Sequence, residues 1–283
     1  MDNSAVPNPG RKSPSTRPAV RRSLLWVSLA IVFAAGLYIG RGPHQALDFV
    51  TAYVIELSLS LDNLVMFALI FSSAGVALES QSRVLFWGIL GALITRGVFV
   101  FAGVELISHF HWFLSVLGIF VIAAGARLLL KRRKEFDVTR SRLVALARAH
   151  LPLTPGYAGG RFFVREGGRW LATPLLLVLL AIEITDVIFA LDSVPAVFSV
   201  TQDAVIVYSS NILAVIGLRT LYFLLADVTR RFRYLRQGMA VVLSFVGIKM
   251  LIAPLVNIPA GWSLVLILAV VGAALLFQLK TGD

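Results

Sequence analysis

Eight apolar segments, each followed by a polar or charged stretch, constrain the fold of this chain most strongly. A helix needs about 20 apolar residues to cross the hydrocarbon core of a bilayer, and the segments are close to that length. They are Leu24–Gly40, Leu47–Phe71, Val84–Ile107, Trp112–Leu130, Leu171–Val200, Ala204–Ala226, Gln237–Leu255 and Trp262–Leu279. Only 14% of the residues are charged, against about 25% in soluble domains. The sequence therefore predicts an all-α polytopic membrane protein with about eight transmembrane helices.

These segments divide the chain into six parts. The predicted parts are a basic disordered cytoplasmic tail (1–22), an N-terminal anchor helix (23–41), a first three-helix repeat (47–130), a basic cytoplasmic loop (131–170), a second three-helix repeat (171–255) and a last helix with its tail (256–283). The first apolar segment also fits a signal peptide, but its long basic tail and the lack of a clear small-x-small cleavage site favour an uncleaved helix. Glycines and prolines flank residues 161–165, a pattern that favours a short β-hairpin.

Positive charge is concentrated in alternate loops. Of the 26 lysines and arginines, 21 lie in the two termini and in the loops of one parity, whereas the other side carries only Arg41. Because cytoplasmic loops are enriched in basic residues, we expect a bacterial inner-membrane protein with both termini in the cytoplasm. This topology explains most of the net charge of +11 without a nucleic-acid partner. The basic loop leaves open a contact with the lipid surface.

Polar residues inside the spans recur as a second copy. The pattern of an acid, five residues, Asp and a small polar residue occurs at Glu56–Asn63 and again, 130 residues later, at Asp186–Ser193. Arg96 corresponds to Arg219, and Arg127 corresponds to Lys249. Because three helices cross a membrane an odd number of times, the second copy enters from the opposite side. The sequence therefore predicts two inverted three-helix repeats, which are typical of secondary transporters.

Five carboxylates lie inside the apolar spans, where a charge at the bilayer centre is unfavourable by about 2.5–3.5 kcal/mol. They are Glu56, Asp62, Glu183, Asp186 and Asp192. The candidate charge partners are Arg96, Arg219 and Lys249. The excess of two negative charges would be neutralised by one divalent cation. Bound protons are an alternative, and buried acid–arginine pairs can also serve only to fix helix register.

Oxygen atoms dominate the set of candidate ligands. Asn63 and Ser193 follow two of the aspartates, and the chain has no cysteine. An all-oxygen site suits Mg²⁺, Ca²⁺ or Mn²⁺, and the lack of cysteine excludes thiolate sites and disulfides. Pro195 lies three residues after Asp192, so we expect a break in the fifth helix that frees carbonyl oxygens as further ligands.

Several of these motifs are similar in identity, spacing and order to the TerC family, and within it to the Alx-like branch. They are Glu56 with Ser60–Asn63, Trp87–Ala92 with Arg96, Thr173–Pro174, Glu183–Asp186, Phe189–Ala196, Ser210–Ala214, Gly217–Arg219 and Leu221–Phe223. The family often has Trp after the first Glu, where this chain has Leu57. The resemblance implies a membrane protein of metal-ion homeostasis, with relatives linked to Mn²⁺ export and tellurium resistance. The three-helix repeats also resemble the wider LysE-type transporter group.

We therefore expect an inner-membrane divalent metal ion transporter that exports Mn²⁺, with proton coupling as a plausible driving mechanism. The expected metal ligands are Glu56, Asp62, Asn63, Glu183, Asp186, Asp192 and Ser193, with Arg96, Arg219 and Lys249 as charge partners. A carboxylate-rich site fits a tellurite oxyanion poorly. We expect no resident cofactor and no enzymatic activity. The alternative is a membrane scaffold or assembly factor in which the buried acid–base pairs are structural.

Overall fold

The computed structural model describes residues 16–110, 112–130, 151–225, 233–253, 255–256 and 258–281. Within these ranges the chain forms eight helices and one β-hairpin. The elements are α1 (Thr16–Arg41), α2 (Pro43–Ser73), α3 (Leu78–His109), α4 (Trp112–Leu130), β1 (Phe163–Glu166), β2 (Arg169–Ala172), α5 (Pro174–Phe198), α6 (Ala204–Leu225), α7 (Arg233–Ile252) and α8 (Ala260–Thr281). Each predicted apolar segment corresponds to one helix. The predictions for residues 1–15 of the tail and 131–150 of the long loop fall outside the described residues.

Four of the described helices are long and apolar enough to cross a membrane. They are α1 over Leu24–Arg41, and α2, α3 and α5 over their whole lengths. In the other four helices, the described residues include shorter apolar stretches of 10–17 residues. The helices therefore support a multi-pass membrane protein, while the full set of eight spans stays a prediction.

Helices α2 and α5 form the centre of the bundle. Helix α2 packs against α1, α5, α6 and α8, and α5 packs against α2, α3 and α4. The largest core cluster joins Ile55 and Leu59 of α2 to Val194 of α5 and to Leu243 and Met250 of α7. The two helices that carry the predicted acids therefore lie side by side in the interior.

Small residues bring α4 and α7 into close contact. A Cβ atom on Gly247 of α7 would lie 2.7 Å from the carbonyl oxygen of Gly118, and one on Gly125 of α4 would lie 3.0 Å from the carbonyl oxygen of Ala240. These distances leave no room for a larger side chain, so the two backbones approach each other as they do at small-residue interfaces in membranes.

Helix α5 differs from its prediction at both ends. It begins at Pro174, where a missing N–H leaves no hydrogen bond unmade, so Leu171 and Ala172 belong to β2 and not to the span. The expected break at Pro195 is wrong, because α5 continues to Phe198. Pro195 lies in the last turn, where the helix loses a single backbone hydrogen bond. The helix therefore does not provide the set of free carbonyl ligands that a break would expose.

The segment that precedes the hairpin contacts the connection between α2 and α3. Its strands pair in antiparallel order around Gly167–Gly168, whose φ angles of 56° and 80° suit a two-residue hairpin turn. In the segment before β1, the Tyr157 hydroxyl donates to the carbonyl oxygen of Ala74 at 2.6 Å, and Arg83 Nη1 donates to that of Gly160 at 2.5 Å. The hairpin and this segment are therefore anchored to the helices at one end of the bundle.

Candidate functional site

A buried arginine joins four helices in the interior. Arg96 of α3 is 1% exposed, and its Nη1 donates to the carboxylate of Glu56 on α2 and to Oδ1 of Asn211 on α6. Its Nε and Nη2 donate to the two carboxylate oxygens of Asp186 on α5, at 3.4 and 3.3 Å. These four residues form the Arg96 cluster. It carries one net negative charge when both acids are ionised.

Neighbouring groups orient Asn211 and Glu56 but leave one oxygen of the Glu56 carboxylate without a described donor. Asn211 Nδ2 donates to the carbonyl oxygen of Val207 at 3.2 Å, which turns Oδ1 toward Arg96. The Ser60 hydroxyl lies 3.5 Å from Oε1 of Glu56. The other oxygen of this carboxylate, Oε2, is buried and accepts no hydrogen bond from any described residue.

A cavity of about 50 Å³ lies between α2, α5 and α7. Its lining residues are Leu59, Ser60, Asn63, Phe189, Asp192, Ser193, Met239 and Leu243. About 10–15 Å³ is enough for one water molecule, so this central cavity has room for an ion with some of its water. Polar side chains from both central helices line it.

Two oxygen atoms at the central cavity have no hydrogen-bond partner among the described residues. They are Asn63 Oδ1 and Ser193 Oγ, and both are buried. Asp192 lines the same cavity, and Arg127 of α4 is near enough to act on it electrostatically. An unsatisfied buried polar group is unfavourable by about 1–3 kcal/mol. The cavity therefore presents oxygen donors that a cation would satisfy.

The other predicted site residues lie elsewhere. Glu183 is half-buried against α3, where a Cβ atom on Gly91 would clash with its carboxylate. Lys249 donates to the Ser263 hydroxyl at 3.0 Å, and its expected pairing with the acids stays a prediction. Asp62 lies in α2 and Arg219 in α6, but their side chains are outside the described part of the structure.

The four acids whose side chains are described, Glu56, Glu183, Asp186 and Asp192, do not form one site. No group of three or more His, Cys, Asp or Glu residues in the described part of the chain is placed to hold a metal ion. Helix geometry gives the reason, since Glu183 and Asp192 are nine residues apart and a helix turns by about 100° per residue. They therefore project to opposite sides of α5. Asp186 faces Arg96, so the three acids of α5 have three different environments.

A larger cavity lies at the end of the bundle opposite the hairpin. This vestibule has a volume of about 890 Å³, between the first turns of α2 and α8 and the last turns of α5 and α7. Lys249 is buried in its wall beside Asp48, and His44 lines it one turn earlier in α2.

Comparison with known proteins identifies the family. Residues 41–282 match the integral membrane protein TerC family. The chain belongs to this family. It is 47% identical over 263 residues to an uncharacterized membrane protein, STKORF319, of Myxococcus xanthus, covering 93% of this chain and 82% of the relative. It is 43% identical over 263 residues to the protein named "Putative membrane-bound redox modulator Alx" in Escherichia coli K12, covering 90% and 82%. No solved structure matches the chain significantly.

The match to the TerC family contains the whole candidate site. Residues 41–282 include α2 to α7 complete, and therefore both the Arg96 cluster and the central cavity. Helix α1 reaches this range only at its last residue. The site thus belongs to the part of the chain that the TerC family shares.

Sequence reasoning missed two contributors to these sites. Ser60 lines the central cavity and faces Glu56 from one turn along α2. Asp48 lies in the vestibule, at the edge of a predicted span, where a carboxylate is unremarkable. The four-residue spacing of Glu56 and Ser60 would have identified the first. No sequence signal identifies the second.

Proposed function

We propose that this TerC-family protein transports a divalent metal ion, and that its substrate is Mn²⁺, exported from the cytoplasm. The observation that carries the proposal is the central cavity itself, where Asn63 Oδ1 and Ser193 Oγ have no partner among the described residues and the Asp192 carboxylate lines the same space. Hard divalent cations are bound by carboxylate, amide and hydroxyl oxygens. We assign Asp62 to the same site because it occupies the position in α2 that Asp192 occupies in α5.

An inverted repeat would place this cavity between the two halves of the molecule. Leu59 and Asn63 lie 130 residues before Phe189 and Ser193, and all four line the cavity. Transporters built from inverted repeats bind their substrates at such a repeat interface.

The contact between α4 and α7 supports the same relation. Gly125 and Gly118 become Gly247 and Ala240 on adding 122. The approach of Gly125 to Ala240 therefore corresponds to the approach of Gly247 to Gly118. Two contacts that exchange in this way are what a two-fold relation between the halves produces.

The Arg96 cluster has a different role in this proposal. Arg96 already neutralises one of its two acids, so the cluster is a weaker cation site than the central cavity. We assign the cluster a structural role, because it joins α2, α3, α5 and α6 around the interior.

The names of the relatives are compatible with a metal transporter. Several carry the name "Putative membrane-bound redox modulator Alx". The 283 residues of this chain contain no cysteine, so thiol–disulfide exchange within it cannot be the cause of such an effect. Control of the level of a redox-active metal is a route that needs no thiol.

Transport assays in proteoliposomes test the proposal. We expect Mn²⁺ flux in the wild type, and a loss of about tenfold or more in Asp192→Asn, since even outer-shell changes reduce metal affinity 10–100-fold. Glu105→Gln, which changes an exposed carboxylate of α3, is the matched control and should transport normally. Wild-type flux in folded Asp192→Asn protein would contradict the assignment.

Two further variants separate binding from folding. Asn63→Ala and Ser193→Ala remove atoms that have no partner in the described structure, so they should leave the melting temperature unchanged or higher. They should nevertheless reduce Mn²⁺ flux.

A scaffold function is the second candidate, favoured by the hydrogen bonds that Arg96 makes with buried acceptors on three other helices. Full cellular function of an Asp62→Asn, Asp192→Asn double variant would support the scaffold.

A further inference from the structure

The hairpin exposes aromatic and basic side chains on one face. Phe163 pairs with Ala172, and Arg165 pairs with Trp170. Partners across antiparallel strands, and residues two apart along a strand, project to the same side. Ala172 is buried, whereas Phe163 is 51% and Trp170 is 66% exposed. The hairpin face, made of Phe163, Arg165 and Trp170, is therefore exposed, whereas Ala172 on the same side packs against the protein.

This face belongs to an ordered unit. The amide of Thr154 donates to the carbonyl oxygen of Ala172 at 2.9 Å, and the amide of Ala172 donates to that of Pro152 at 2.8 Å. The Thr173 hydroxyl donates to the carbonyl oxygen of Arg161 at 2.6 Å. Hydrogen bonds on both flanks hold the strands in place, so the aromatic side chains are presented at fixed positions.

Charge and position both indicate a lipid interface. Residues 161–172 carry three exposed arginines, Arg161, Arg165 and Arg169, against the single acid Glu166, which is an excess of two positive charges. Arg165 lies on the hairpin face, whereas Glu166 and Arg169 are cross-strand partners on the opposite face. Trp170 lies four residues before Pro174, at most about 13 Å from the start of α5 at about 3.3 Å per residue. The headgroup layer is about 5–8 Å thick on each side of a bilayer, and tryptophan and arginine are the residues that anchor proteins there.

We propose that the hairpin face binds the headgroups of anionic phospholipids in the surrounding bilayer. The arginines would pair with lipid phosphates, while Trp170 and Phe163 insert their rings between headgroups. The proposal is independent of ion transport and requires only that α5 is a membrane span.

Fluorescence quenching by brominated lipids tests it in the full-length protein. Single-tryptophan variants keep Trp170 or Trp87, with the other four tryptophans replaced by phenylalanine. Each is reconstituted in bilayers that contain either brominated phosphatidylglycerol or brominated phosphatidylcholine. Trp87 is exposed on α3, four residues beyond the basic Arg83, so it reports contact with lipid chains and serves as the internal control for folding.

We expect brominated phosphatidylglycerol to compete for the Trp170 site at least about fivefold better than phosphatidylcholine, since one basic residue near a membrane contributes about 1 kcal/mol. The substitutions Arg161→Gln, Arg165→Gln and Arg169→Gln together should abolish the preference, and the corresponding three lysine substitutions should retain it. Equal quenching by both lipids, or no quenching of Trp170 while Trp87 is quenched, would overturn the proposal. The second result would indicate water or a protein partner at this face.

Discussion

Arg96 is the cation that compensates the buried charges of Glu56 and Asp186. It contacts acids from two helices and an amide from a third, and all four side chains are buried. Buried ion pairs often contribute little net stability, yet removal of one partner leaves an uncompensated charge. The loss of this side chain should therefore reduce stability by more than its ion pairs contribute to it.

Replacing Arg96 by methionine should destabilise the protein by about 3–5 kcal/mol, because Glu56 and Asp186 would lose their shared cation. Thermal unfolding in detergent measures the effect. Arg41→Gln breaks a 2.8 Å ion pair with Asp203 that is largely exposed and should change stability by about 0–1 kcal/mol. Equal melting temperatures for the two variants would contradict the structural role of Arg96.

At the residue scale, the sequence predicted that Arg96, Glu56 and Asp186 need partners inside the bundle, but it could not predict the partners of the other polar residues. Arg96, Glu56 and Asp186 stand out as charges in apolar spans, because such charges need a partner wherever the helices place them. The sequence could not show that Lys249 contacts Ser263 or that Glu183 lies against Gly91, since these contacts depend on how the helices rotate and tilt in the bundle. Asn63 and Ser193 were identified because each follows an aspartate at an equivalent position of the two predicted repeats.

At the scale of helices, backbone approach governs packing between α4 and α7. The apolar pattern of both segments predicts helices but gives no hydrophobic face, because membrane helices are apolar on most sides. Their association depends instead on Gly118, Gly125 and Gly247. Pro195 shows that the position of a residue in its helix also matters. Proline disfavours helix interiors, but near the end of α5 it is accommodated without a break.

Gly247→Ala should therefore destabilise the protein by about 1–3 kcal/mol. The new Cβ atom would meet the carbonyl oxygen of Gly118 and the backbone nitrogen of Ile122, which cannot move aside as a flexible side chain can. Gly272→Ala in α8 is the control, because a Cβ atom there meets nothing within 4 Å. Comparable melting temperatures for both variants would show that α4 and α7 separate easily.

At the scale of the whole molecule, the two ends of the bundle differ. The vestibule lies at one end, and the hairpin lies at the other. The distribution of basic residues predicts that the hairpin faces the cytoplasm and that the vestibule faces outward. Helix α2 runs from one end to the other. Its first turn lines the vestibule, and Ala74, which follows its last turn, accepts a hydrogen bond from Tyr157 in the segment before β1.

Labelling of introduced cysteines tests this orientation. Because the chain has no cysteine, each substitution creates a single reactive site. In intact cells a membrane-impermeant maleimide should reach Gln202→Cys in the vestibule, whereas Glu166→Cys on the hairpin should react only after the membrane is opened. The reverse pattern would mean that the molecule is inserted the other way round.

The segment that leads into the hairpin covers the place that a second vestibule would occupy in the proposed repeat. Val178 lies 130 residues after Asp48, so the proposed repeat makes it the counterpart of a vestibule residue, yet it is buried in a cluster against which Leu153 and Phe162 pack. A transporter that opens alternately at its two ends would have to lift the hairpin from this cluster in every cycle. A hairpin held by anionic lipid would then act as a brake, and the lipid composition of the membrane would set the turnover rate.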